Sequence, residues 1–381
     1  SLVETGLTGP APMNVKGSFA RVLESILPSL ENDSLAKFAG VLGDLLPEHQ
    51  NPAMRLQRHA GLFEVLQCLN KLVARWEPHP DLPSDIWEGK ICNRALQCMK
   101  CVFAADALDQ EEEGEGNQLD ESAINVAKLW VSLSSRFPET VPTLCAACLE
   151  HLKMAQDVGL GLREVLLGPL HYLDFAHHEH FGILQLQPEF QNLGRHLVAV
   201  LRKLHSAPIK ETSDFVMAKL VLQSVEGLLQ HGRSDLLQGE WTAMLDCVDK
   251  LLQFQGSLLK GDLSRESLAV SKSSLLYQLR DYEEVCADLG VSSSDVLALW
   301  ARSLALSPDD CATSEKLVVN LHEQATRGDP NVVCVEAMPS LLRALASVQN
   351  CLPDVVQETA VLLVRHYADF REEAVRLGLL R

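Results

Sequence analysis

Apolar side chains recur at helical spacing near the end of the chain, in segments that open with similar motifs. The letters DPNVV open one segment at position 329, and LPDVV opens the next at position 352. A proline suits the first turn of a helix, because its missing N–H has no partner there. Gly378 is placed to end a third helix in a left-handed conformation. The apolar positions that follow the two prolines are Val335, Met338, Leu342, Leu345 and Val348, then Val356, Leu363 and Tyr367. The pattern predicts consecutive amphipathic helices.

The same periodicity, separated by short turns that contain Pro or Gly, continues through the preceding residues. Alternation of apolar and polar positions, the mark of a strand, is rare, and aromatic residues make up only 5% of the chain. An all-α fold follows from this pattern. Helices are predicted over residues 18–27, 32–46, 52–76 with a break near Gly61, 85–107, 122–135, 140–156, 160–178, 188–204, 213–231, 240–253, 264–279, 282–289 and 294–306.

Three stretches near the C-terminus resemble repeats of the armadillo/HEAT class. They are DPNVV…LLRAL, LPDVVQETAVLLV and DFREEAVRLG, which looks like the turn into the third helix of an armadillo repeat. The resemblance implies a right-handed α-solenoid of roughly eight to ten helix pairs or triplets. It also implies a protein-interaction scaffold or adaptor, with an extended groove for a peptide or helix of a partner.

Two segments stand apart from the helical pattern. Residues 1–14, with Gly9, Pro10 and Pro12, are predicted to be a flexible lead-in. Residues 109–121 (DQEEEGEGNQLDE) are acidic and nearly without apolar side chains, which predicts a mobile, solvated loop. A docking site for a basic tail is the less favoured interpretation of that run. Residues 15–381 are otherwise predicted to form one continuous helical-repeat domain.

The net charge of −18 disfavours direct binding to nucleic acid, because phosphates would be repelled. No apolar run approaches the roughly 18–20 residues that a membrane-spanning helix needs. Residues 1–14 show no secretory signal, and most of the eleven cysteines lie in apolar helical patterns. We therefore expect a cytoplasmic or nuclear location, where thiols stay reduced.

Two pairs of cysteines have the CxxC spacing, Cys98 with Cys101 and Cys145 with Cys148. Zinc binding and thiol–disulfide chemistry stay open for them. Core packing is favoured, because both pairs lie inside helical patterns and residues three apart share a helix face.

A histidine-rich segment extends from His171 to His180. His171, Asp174 and His178 would share a helix face and could bind a metal. The simpler interpretation is a solvated helix end, where the dipole favours cationic histidine. Nucleotide-binding loops and nucleophile motifs are absent from the sequence, so neither an enzyme nor a cofactor is predicted.

One helix is basic against the acidic background. Arg195, His196, Arg202 and Lys203 occur on GRHLVAVLRKLH, with Arg195 and Arg202 seven positions apart on the same side. Ordinary surface is one interpretation; an exposed ridge that binds an acidic or amphipathic partner segment is the other. Arg343 and Arg365, on the helices that follow Pro330 and Pro353, are the next candidates for partner binding.

The function that these observations favour is a non-enzymatic scaffold or adaptor. A helical regulator of a folded client, such as an exchange factor or chaperone for a small GTPase, is the alternative. A metalloenzyme is third.

Overall fold

The computed structural model describes residues 2–46, 61–76, 86–103, 116–157, 162–206, 212–253, 338–350 and 352–380, with stretches of one to three residues between 267 and 326. Within these residues the regular structure is helical and contains no strand. The all-α prediction is therefore confirmed for the described part of the chain. The chain divides into two compact units, Ser1–His196 and Leu197–Arg381. A single continuous repeat domain over residues 15–381 stays a prediction.

The first unit contains nine helices within its described residues. They are α1 (Leu2–Thr8), α2 (Met13–Ile26), α3 (Asn32–Leu45), α4 (Leu62–Arg75), α5 (Cys92–Phe103), α6 (Gly116–Arg136), α7 (Val141–Asp157), α8 (Leu162–Glu179) and the short α9 (Phe181–Leu184). A π-helical turn (Ile86–Ile91) leads into α5, and 3-10 turns lie at Leu27–Ser29, Pro138–Thr140 and Pro188–Asn192. Helix α10 (Leu193–Ser206) begins in this unit and ends in the second.

Alternate helices of the first unit pack side by side. Helix α4 lies between α2 and α6, and α6 lies between α4 and α8. The intervening helices pack across them: α3 contacts α4 and α5, while α5 and α7 each contact α6 and α8. Helix α1 covers α2 and α3.

The sequence of α4 shows why a helix in this position needs neighbours on two sides. Its buried side chains spread over more than one stripe, which a single partner helix could not cover. Seven of its fourteen residues are buried: Leu62, Val65, Leu66, Cys68, Leu69, Leu72 and Val73. At its start Gly61 has a φ of 98°, so the predicted break at Gly61 is confirmed, while residues 52–60 lie outside the described part.

The second unit contains five further helices among its described residues. They are α11 (Thr212–Gln230), α12 (Trp241–Gln253), α13 (Met338–Val348), α14 (Pro353–His366) and α15 (Arg371–Arg376), with 3-10 turns at Ser234–Leu237 and Ala368–Phe370. Helix α13 packs against α14 and α15. An ion pair between Lys272 and Asp249 of α12 is almost fully buried.

The C-terminal helices follow their predicted pattern closely. Pro353 lies in the first turn of α14, and Gly378 has a φ of 76° just after α15. Tyr367 is half-buried, while Pro330 and Val335 lie outside the described residues. The predicted apolar positions that are buried are Met338, Leu342, Leu345, Val348, Val356 and Leu363. The predicted helices at 264–279, 282–289 and 294–306 lie almost wholly outside the described residues.

Two predicted flexible segments contain helix instead. Residues Leu2–Thr8 of the expected lead-in form α1, because Leu7 is fully buried and α1 packs on α2 and α3. Helix α2 begins at Met13 rather than at Ser18. The acidic run is helical from Gly116 onward, because a packed helix extends by one hydrogen bond per added residue at small cost. Residues 109–115 lie outside the described part.

No helix in the described ranges is long and apolar enough to cross a membrane.

Candidate functional site

The predicted basic ridge on α10 is only partly exposed. Arg195 is exposed, but His196 is 2% exposed and its Nε2 lies 3.6 Å from Oε2 of Glu189. His196 is buried because it shares a helix face with buried Leu193 and Val200. The prediction that His196 belongs to an exposed ridge is therefore wrong.

The remaining candidates on α10 lie in the second unit. Arg202 is exposed, and its guanidinium lies 3.7 Å from the carboxylate of Glu240. Lys203 is half-buried. The positive charge that Arg202 offers to a partner is thus partly balanced within its own unit.

The two C-terminal candidates differ in their surroundings. Arg343 is exposed, with Nε 4.0 Å from a Glu373 carboxylate that also accepts a hydrogen bond from Arg376 at 3.1 Å. Arg365 is exposed in the last turn of α14, one turn after the exposed Val361. Arg365 therefore lies beside an apolar surface residue, whereas Arg343 lies beside an acid.

Cys145 and Cys148 are buried in α7. The Cys148 thiol donates to the carbonyl oxygen of Pro169 in α8 at 3.0 Å, and Cys145 lies 4.0 Å from the Tyr172 hydroxyl. Burial raises the pKa of Cys145 to about 11 and the pKa of Cys148 well above its usual value. Both thiols stay protonated at neutral pH, which favours packing over nucleophilic or redox chemistry.

The other pair is described only in part. Cys98 is buried, and the side chain of Cys101 lies outside the described residues. Across the described ranges, no group of three His, Cys, Asp or Glu side chains is arranged to hold a metal ion.

The histidine-rich segment is packed against aromatic rings. His177 is 1% exposed and stacks on Phe181 at 5.9 Å between ring centroids, while His180 meets the edge of Phe175 at 5.3 Å. Helix α9 packs back against α7 and α8 and buries this end of α8. The prediction of a solvated helix end is therefore wrong for His177, although it fits the exposed His178.

The structure also assembles a cluster that the sequence analysis missed. Arg75 and Arg136 end α4 and α6, Lys71 lies one turn before Arg75, and Arg21 lies in the middle of α2. We call these four residues the cationic edge. They come from three separate parts of the chain, so no local motif predicts them; the side-by-side packing of α2, α4 and α6 brings them together.

Arg75 and Arg136 each bind the chain at the C-terminal end of the neighbouring helix in the row α2, α4, α6. Arg75 Nη2 donates to the carbonyl oxygens of Pro28 at 2.8 Å and Leu30 at 3.4 Å. Arg136 Nη2 donates to the carbonyl oxygen of Ala74 at 2.6 Å. Cations near helix C-termini satisfy unpaired carbonyls and balance the helix dipole. Arg75 and Arg136 therefore link the C-terminal ends of α2, α4 and α6.

A cleft opens between α2 and α4 at the cationic edge. Its lining residues are Arg21, Glu24, Ser25, Leu27, Pro28, Lys71 and Arg75. Arg21 forms an ion pair with Glu64, and Lys71 forms one with Glu24, yet their side chains are 69% and 54% exposed. The Nη1 nitrogen of Arg75 is buried with no hydrogen-bond partner among the residues that the structure describes. The cleft thus combines two exposed cations with an arginine whose Nη1 lies beneath the surface.

Comparison of the chain with family models, curated proteins and solved structures yielded no match.

Proposed function

We propose that this protein is a non-enzymatic interaction scaffold of the armadillo/HEAT-like α-solenoid type. The supporting observation is the packing of the first unit, in which α2, α4, α6 and α8 lie side by side and α3, α5 and α7 pack across them. Stacking of this kind buries a continuous core and leaves elongated grooves between neighbouring helices, where a partner peptide or helix can bind. The proposal places the protein in the cytoplasm or nucleus.

Each unit has exposed cations that could contact a partner: Arg195 in the first unit, and Arg202, Arg343 and Arg365 in the second. Arg195, Arg202, Arg343 and Arg365 are exposed, each on a helix. They suit an acidic or amphipathic partner segment in a protein whose net charge is −18, because elsewhere the surface would repel such a segment. His196 and Lys203, which are buried and half-buried, are less suitable contacts.

The proposal is tested by selection from a library of short random peptides displayed on phage. A scaffold should enrich peptides that share a motif, and a synthetic copy of that motif should bind the full chain in solution. Enrichment of no common motif, together with binding that requires a folded client such as a small GTPase, would favour the regulator alternative.

A second measurement concerns the candidate contacts. Arg195→Glu with Arg202→Glu should weaken binding of the selected peptide and leave the urea midpoint nearly unchanged, because exposed substitutions usually alter stability by less than about 0.5 kcal/mol. Arg343→Glu with Arg365→Glu applies the same binding test to the candidates on α13 and α14. Unchanged affinity in both variants would exclude these four residues as contacts.

A further inference from the structure

We propose that the cleft at the cationic edge binds a carboxylate-rich segment of a partner protein. This inference rests on the proposed scaffold function and assigns it a site in the first unit. The site differs from the residues that the sequence analysis selected, which lie on α10, α13 and α14.

Arg75 lines the cleft and keeps one unused donor. A buried guanidinium nitrogen that lacks an acceptor is costly, and native structures rarely leave one unsatisfied. Among the described residues Nη1 of Arg75 has no acceptor, whereas Nη2 of the same side chain already binds Pro28 and Leu30. Nη1 has almost no accessible surface, so a carboxylate reaches it only when the Arg75 side chain turns toward the cleft; the carboxylate then supplies the missing acceptor as a charge-assisted hydrogen bond.

Positive charge surrounds Arg75 in the cleft. Arg21 and Lys71 line the same cleft, and each keeps more than half of its side chain exposed. Their intramolecular partners, Glu64 and Glu24, are only 15% and 22% exposed. The cations therefore face outward and the acids lie beneath them, so an approaching segment meets the positive groups first.

The cleft also has an apolar element. Pro28 lies in its lining and is exposed. A partner segment that carries an occasional aliphatic residue among its acids would cover Pro28 and gain from its burial.

A protein segment fits the cleft better than a nucleic acid does. Glu24 lines the cleft beside Lys71, and the molecule as a whole carries a charge of −18. A phosphate backbone would be repelled along its length beyond the few cations, whereas a short acidic segment needs only local complementarity.

The experiment measures binding of a fluorescent peptide that repeats Glu, Glu, Leu and Gly to the full chain by anisotropy. A matched peptide with Gln in place of Glu reports the part of binding that does not depend on carboxylates. We expect the Glu peptide to bind, its affinity to fall with added salt, and the Gln peptide to bind at least about tenfold more weakly.

Three variants locate the site. Arg21→Gln with Lys71→Gln should weaken binding roughly tenfold, as expected for two partly exposed ion pairs. Glu24→Gln should strengthen binding, because it removes a competing carboxylate and releases Lys71. Arg75→Lys, which keeps the charge but loses the planar fork, should weaken binding about fivefold; its urea midpoint shows whether the fold is retained.

The control variant is Lys37→Gln with Lys153→Gln, which changes the net charge equally. These lysines pair with Glu4 and Glu189 elsewhere in the first unit, each at 2.8 Å. Equal weakening in the control and in the Arg21 and Lys71 variant would overturn the proposal, as would equal binding of the two peptides. If single-stranded RNA displaces the fluorescent Glu peptide at a lower concentration than unlabelled Glu peptide does, the cleft is assigned to nucleic acid instead.

The experiments distinguish failure of the cleft proposal from failure of the scaffold proposal. If the phage-selected motif binds and the cleft variants change neither its affinity nor that of the Glu peptide, the scaffold function stands and this site is wrong. If no linear motif is selected but the Glu peptide binds with the expected response to the variants, the cleft stands and the general scaffold proposal is wrong.

Discussion

Two glycines bring α2 and α4 into close contact near the N-terminal ends of these helices. A Cβ atom at position 17 would lie 2.7 Å from Cα of Gly61 and 3.1 Å from its carbonyl oxygen. Such distances are too short for a side chain, and the obstacle is backbone that cannot rotate away. Gly61 itself has a φ of 98°, which suits glycine alone among common residues.

We expect Gly17→Ala to lower the free energy of unfolding by about 1–3 kcal/mol, because overpacking forces the helices apart. Gly182→Ala is the matched control, since a Cβ there meets nothing within 4 Å and Gly182 is exposed. The control should be neutral or slightly stabilising. Urea midpoints measure both; equal midpoints for Gly17→Ala and the parent would show that α2 and α4 lie farther apart.

The buried ion pair of the second unit gives a second residue-scale prediction. Lys272→Met should destabilise the fold by about 3–5 kcal/mol, because the carboxylate of Asp249 would stay buried without its lysine. The double variant with Asp249→Leu should recover most of that loss, since an apolar pair needs no compensating charge. Urea unfolding of both variants provides the test. A double variant less stable than Lys272→Met would mean that Asp249 supports the fold through other contacts.

At the scale of the element, the helices of the C-terminal segment illustrate how one stripe decides stability. Leu342 of α13 and Leu363 of α14 are buried, while Val361 of α14 is 37% exposed. The buried residues Val356, Ala360 and Leu363 recur every three or four positions, so they share one face of α14. Helix α14 packs against α13 and α15.

Leu342→Ala and Leu363→Ala should each lower the free energy of unfolding by about 2–5 kcal/mol, through lost burial and the cavity left behind. Val361→Ala, only two positions from Leu363, should change it by less than about 0.5 kcal/mol. Chemical denaturation compares the three. A loss at Val361 as large as that at Leu363 would place the buried face of α14 on its other side.

At the scale of the whole molecule, the excess of acidic groups opposes folding. There are 51 Asp and Glu against 33 Lys and Arg, and unfolding relieves their mutual repulsion. Added salt screens this repulsion, while the exposed ion pairs that it also weakens contribute little.

We therefore expect the urea midpoint to rise with sodium chloride at pH 7. Near pH 5, close to the isoelectric point of about 5.1, the same salt should have little effect, because the net charge is small. The test is to measure the urea midpoint over the same range of sodium chloride concentrations at pH 7 and near pH 5. Equal responses at both pH values would point to a cause other than net charge.

The sequence by itself determined the helical character of the chain and much of its register. Periodic apolar positions encode a helix locally, so α3, α7, α8, α11 and α12 lie within a few residues of their predicted bounds. The turn at Gly61 and the end at Gly378 were equally predictable, because only glycine commonly adopts those backbone angles.

Tertiary structure decided which polar groups are exposed and which lie together. His177 and His196 look like surface residues in the sequence, yet α9 covers the first and the packing face of α10 buries the second. Segments 2–8 and 116–121 look too polar or too rich in Gly for regular structure, yet they are helical beside well-packed neighbours.

The cationic edge is the clearest example of a feature that the sequence alone does not predict. Arg21, Arg75 and Arg136 belong to three different helices, and the sequence of each helix by itself shows only a charged position. Their common surface depends on the order in which α2, α4 and α6 pack side by side. That order arises from long-range burial of apolar stripes, which the spacing within any one helix does not encode.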